Sequence, residues 1–172
     1  MRMHHAGQPG SDHAGSTRAD PGHGRHRAPY LRLLAMAVLS FVAMYLLMYA
    51  MVDRWANVHP NLNQLYMAAL MTAPMLIIEL LLMGSMYGDK RRNLIILAAA
   101  ATVLAGAFVF IRQQTVIGDR AFLQSMIPHH SGAILMCRKA ALKDAEIRQL
   151  CVDIEAGQER EVDWMRAKLE KM

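Results

Sequence analysis

The sequence predicts an all-α membrane protein: three transmembrane helices followed by an antiparallel helical hairpin outside the lipid. Three observations lead there. The 172-residue chain is 54% hydrophobic but only 6% aromatic, with much of its apolar content in three long runs. The excess positive charge, +5 overall, sits in the N-terminal tail and in Lys90-Arg91-Arg92. Beyond Asp119 the apolar residues recur at three- and four-residue steps, the period of a buried helical face.

Residues 1–28 are rich in Gly, His, Arg, Ser and Pro and lack apolar periodicity. Such a segment buries too little surface to order itself and is expected to be a disordered cytoplasmic tail. It lacks the small-residue cleavage pattern of a standard signal peptide. Residues 29–112 are read as a membrane domain with spans at about 31–52, 65–86 and 94–111. Each run approaches or exceeds the ~20 apolar residues that cross a bilayer. Tyr30 and Trp55 flank the first span, at the depth where amphipathic rings settle. In the third, Ala98 to Ala101 and Ala105-Gly106-Ala107 let neighbouring helices approach closely.

Charge sets the expected orientation. The tail and Arg32 carry five Arg, and the second loop carries Lys90, Arg91 and Arg92, whereas the first loop has only Arg54. Positive loops stay cytoplasmic. The N-terminus is then inside and the C-terminal domain outside, in the periplasm of a cell that has one. Residues 119–172 hold nine basic and nine acidic side chains, so the outer part is neutral. No basic stripe with interleaved aromatics is present, which argues against a nucleic-acid partner.

The second span places Met67, Met71, Met75, Glu79 and Met83 at four-residue steps, and the first holds Met44, Met48 and Met51. Thioethers in a ladder could hold a soft ion or simply fill gaps between helices. Glu79 is costly in lipid and should face the bundle with a polar partner. Ser40 and Thr102 lie near its depth. A buried neutral carboxyl and a proton or metal site are both open readings.

The richest chemistry lies in Met126-Ile-Pro-His129-His130. On a helix, Met126, His129, His130, Ala133, Met136 and Cys137 fall on one broad face. Thioether, thiolate and imidazole donors suit Cu(I) and related soft ions, although a Met and Ala stripe is also ordinary core. Asp119 is the expected N-cap of a helix running to about Leu142, and Asp144 that of a second helix running to near Lys171. A tight turn between them opposes Cys137 to Cys151, His130 to Gln158, and Met126 to Glu161 and Val162. Gln158 and Glu161 become candidates for orienting the imidazoles, with Cys151 and Met165 as weaker candidate ligands. The cysteines are open to three readings: a disulfide, two ligands or two buried thiols. Two short helices make a poor independent core. The hairpin should pack on a second copy as a four-helix bundle, the favoured expectation, or on the membrane domain's outer face.

Phe122-Leu123, Met126-Ile127-Pro128-His129-His130, Ala133-Ile134 and Met136, followed by Ile154, Gln158, Glu161-Val162 and Met165, resemble the domain-of-unknown-function 305 family over about residues 119–172. The resemblance implies a ferritin-like helical fold and, as in some members, periplasmic binding of copper or silver. Cys137 departs from the pattern, where a small residue is expected.

The leading functional expectation is therefore membrane-anchored capture of Cu(I) or Ag(I) for metal homeostasis or tolerance. The competing one is a structural module whose hairpin docks a partner or dimerises. An enzyme is not expected. A di-iron centre needs Glu-x-x-His pairs, and none of the six Glu has a His three residues later.

Overall fold

The computed structural model describes residues 27–172; the expected tail, with its five His, lies almost wholly outside the described residues. Among the described residues there are five α-helices and no strand: α1 (Arg27–Leu47), α2 (Leu62–Leu82), α3 (Lys90–Gln113), α4 (Asp119–Lys139) and α5 (Ala145–Leu169). Three stretches are long and apolar enough to cross a membrane: Ala28–Met51, Leu62–Leu82 and Lys90–Gln113. Helix α2 is central and packs on both α1 and α3.

Capping residues explain why these helices start earlier than hydropathy suggests. The Asn61 side chain accepts the Gln64 N–H (2.9 Å), so α2 begins at Leu62. Asp89 accepts the N–H groups of Arg91 and Arg92, so α3 begins at Lys90. A short polar residue at this position satisfies donors that the helix itself leaves open. Asp144 caps α5 in the same way, through Glu146 and Ile147. Helix α4 differs slightly from expectation. Gly118 is its N-cap, Asp119 sits in its first turn, and it ends at Lys139. Pro128 lies inside it without dividing it.

Helices α4 and α5 form the antiparallel hairpin around Leu123, Ile127, Ile134, Val162 and Met165. Cys137 and Cys151 are joined by a disulfide, with Cα atoms 5.2 Å apart. The thiol-ligand and buried-thiol readings of Cys137 and Cys151 are thus corrected, because neither offers a thiolate in this state. A crosslink over 14 residues removes loop entropy from the unfolded chain, by about 3 kcal/mol on the chain-entropy model.

Within the chain, the hairpin lies on the hairpin-side end of the membrane domain. Helix α4 packs on the turns Met48–Met51 and Trp55–Asn57 and on α2. A Cβ added at Gly132 would meet the Met51 carbonyl oxygen at 3.5 Å, so this glycine faces the membrane domain. The linker that brings α4 here turns sharply, with positive φ at Gln114 (49°) and Val116 (63°). A left-handed conformation costs an L-residue about 1–2 kcal/mol, and it is least natural for a β-branched one.

The joint is held by Asp53, whose side chain is 3% exposed. The Asp53 N–H donates to Ser131 Oγ (2.8 Å), and that hydroxyl donates back to the Asp53 carboxylate. Asn57 (2.7 Å) and Arg54 (2.9 Å) also donate to it. Arg138 approaches it at 3.6 Å while pairing with Glu155 and Glu159 of α5. One carboxylate therefore gathers the first loop and both hairpin helices.

Burial by itself pushes the Asp53 carboxyl up, but hydrogen bonds from Ser131, Arg54 and Asn57 outweigh it and hold the group below its ordinary value. A lowered folded pKa means that the Asp53 contribution is complete above the unfolded value and lost as pH falls through the folded one. Docking should persist through mildly acid pH and loosen only below the usual carboxylate range. Asp53→Ala should cost about 2 kcal/mol of docking, since it strands buried donors. Amide exchange in residues 128–135 should accelerate at neutral pH; unchanged exchange would mean that apolar contact alone seats the hairpin.

Candidate metal site

The polar clamp and the hairpin core divide the chemical stripe of α4. Ile127 and Ile134, 0% and 1% exposed, anchor the helix in the hairpin core, and Met126 packs half-buried against that core. Adjacent residues on a helix point about 100° apart, so His129 and His130 have different neighbours. His129 is exposed at an open groove of about 280 Å³ between α4 and the membrane domain. Met126, Pro128, Met67, Asn63 and Gln114 also line the groove. His130 turns towards α5, where Nδ1 lies 2.9 Å from Glu161 Oε2. The contact is close but is not an aligned hydrogen bond. The two rings remain close, with centroids 5.9 Å apart and planes at 59°.

Other expected members stand apart. Met136 is 54% exposed. Ten residues of helix put it about 15 Å along the axis from Met126, so these two sulfurs cannot bind a single ion. Met165 is 5% exposed in the hairpin core. Glu161, not Gln158, supplies the contact to His130. Among the described residues, no group of three or more His, Cys, Asp or Glu is placed to hold a metal. A metal at this groove would have to use thioethers.

Glu79 accepts a hydrogen bond from the Tyr87 hydroxyl at 3.1 Å. The partners anticipated by depth, Ser40 and Thr102, do not fill this role; the Thr102 hydroxyl donates to the Ala98 carbonyl within its own helix. The turn Gly84–Met86 folds the chain back and brings Tyr87 under α2. The Met ladder lies beside the buried face of α2 rather than on it. Ala68, Thr72, Ala73 and Leu80 are buried, while Met67, Met71 and Met83 are 38–45% exposed.

Sequence reasoning did not single out Asp53, Ser131 or Arg138, nor the groove that Met67 shares with Met126 and His129. A buried carboxylate cannot be recognised in a polar loop before its partners are known. His59, in the same loop, has a buried Nε2 without a hydrogen-bond partner.

Comparison with known proteins places the two C-terminal helices within a family-model match. Residues 111–171 match the family model described as Domain of unknown function (DUF305). A relative, "Uncharacterized protein L153" of Acanthamoeba polyphaga mimivirus, is 36% identical over 145 residues, covering 81% of this chain and 91% of the relative. The chain belongs to the DUF305 family. The viral similarity extends beyond the family-model segment into the apolar helices, so this DUF305 chain shares more than its hairpin with that relative. No solved structure matches the chain.

His130 provides a direct check on the site's electrostatics. Burial lowers its pKa; Glu161 pulls it up, His129 pushes it down, and the net direction is down. The shift favours the uncharged ring, the form that binds metal. A lowered folded value also means that this contribution to stability is complete above the ordinary imidazole value and diminishes as pH falls below it. NMR titration should find His130 titrating below the ordinary imidazole range, and Glu161→Gln should lower its midpoint further. A midpoint raised above that range would show that the Glu161 charge dominates.

Proposed function

We propose that this protein is a membrane-anchored, extracytoplasmic binder of a soft metal, Cu(I) or Ag(I), serving metal homeostasis or tolerance. The observation that carries the reading is the pairing of Met126 with His129 on one open groove whose lining contains no carboxylate. Thioether and imidazole suit Cu(I), whereas hard divalent cations look for oxygen anions. His130, held near Glu161, is close enough to exchange an ion with His129 or to bind a second one. The role is binding rather than catalysis.

The proposed orientation has the N-terminus in the cytoplasm and the hairpin outside. Lys90, Arg91 and Arg92 at the start of α3 support it, as does a disulfide in the hairpin, since such bonds persist in oxidising compartments. A periplasm-active reporter fused after Met172 should be active, and a reporter active only in the cytoplasm should be silent. The opposite pattern would invert the topology.

A second reading, a structural module without metal, draws on the Asp53 clamp and on Ile147, Leu150, Val152 and Trp164, which α5 leaves 49–62% exposed for a partner or a second copy. Full-length protein in lipid nanodiscs separates the two. Cu(I) titration of wild type should show binding that is lost in the Met126→Leu/His129→Ala double variant. Equal metal content in both proteins would favour the structural module.

A further inference from the structure

We propose that the metal site is completed by Met67 of the membrane domain, so that the ion is held across the joint between α2 and the hairpin rather than by the hairpin alone. The proposal rests on the soft-metal reading above. It concerns the wall of the groove opposite Met126 and His129.

That wall belongs to the hairpin-side ends of α2 and α3. Met67 lies in the second turn of α2, and its side chain lines the same groove as Met126 and His129. It is 38% exposed, so the residue is open to an entering ion.

The polar side chains around it are already engaged with one another. Asn63 and Gln114 exchange two amide hydrogen bonds of 3.1 Å. The Asn61 amide donates to Gln64 Oε1 at 2.9 Å, and its oxygen caps α2. Ser125 Oγ donates to the Ala121 carbonyl of its own helix. The donors left to a ligand are two thioethers and one imidazole, none of them an anion. This set matches a monovalent soft ion, which loses least when no anion neutralises it. A third donor from another element also explains how two ligands on a single helix turn could become selective: the site exists only while the hairpin is seated on the membrane domain.

Met71 provides the internal control. It lies about 6 Å further along α2, one turn deeper in the span, and is not among the groove-lining residues. It belongs to the same ladder and has similar exposure, 45% against 38%.

The experiment uses the full chain in nanodiscs, loaded with one equivalent of Cu(I) under anaerobic conditions and titrated with a competing Cu(I) chelator. Met67→Leu should weaken binding by about tenfold or more, and Met71→Leu should stay within about twofold of wild type. X-ray absorption should count two sulfur neighbours around copper in wild type and one in Met67→Leu. One sulfur in wild type would overturn the proposal without recourse to any variant, even if Met67→Leu folds poorly. So would Met67→Leu binding as wild type does while His129→Ala loses the metal, a result that leaves the soft-metal reading standing. Absence of Cu(I) binding by wild type would overturn both.

Discussion

The structure depends on the seating of one buried carboxylate. Asp53 stands at the end of the first span and takes hydrogen bonds from Ser131, Asn57 and Arg54 while Arg138 approaches from the hairpin. A carboxylate this enclosed would be costly alone. Surrounded by donors from two elements it becomes a specific latch, because sliding α4 by one turn would carry Ser131 and Arg138 away from it. The exposed ends of Arg54 and Arg138 contribute little on their own, as surface ion pairs do. The buried Ser131–Asp53 contact fixes the register.

That register determines which faces of α4 have chemistry left to offer. Ile127 and Ile134 are turned into the hairpin core, Ser131 and Gly132 towards the first loop, and His130 towards Glu161. Met126 and His129 remain at the seam. The groove is thus a consequence of docking: its far wall is the start of α2, where Asn61 capping sets the helix beginning and hence the position of Met67. The opposite end of the membrane domain is locked by different means. Tyr30 donates to Asn93 Oδ1 (2.8 Å), Asn93 donates to the Tyr87 carbonyl (2.9 Å), and Tyr87 donates to Glu79. The Glu79 carboxyl is therefore tied to the loop that carries Lys90, Arg91 and Arg92, while the soft donors gather at the other end.

Much of the fold was legible in the sequence because it follows from local pattern. Three apolar runs, a helical period beyond Asp119 and the Asp144 cap each depend on residues close together in the chain. Antiparallel pairing about a tight turn brought Cys137 opposite Cys151 by counting alone, and the structure joins them. The candidate site was legible only as a list. Helical geometry put Met126 and Met136 on one face, but a face is a direction and an ion is a point; the rise along the axis separates the two sulfurs.

The sequence by itself determined the helices, their apolar faces and the presence of soft donors around His129-His130, since these are set within a few turns of chain. The tertiary structure decided what lies next to them. Tyr87 rather than Ser40 or Thr102 meets Glu79, Glu161 rather than Gln158 meets His130, and Met67 shares a groove with Met126 and His129. Each pairing joins segments whose relative position depends on loops and on the Asp53 latch. Periodicity along one helix carries no information about the distance to another.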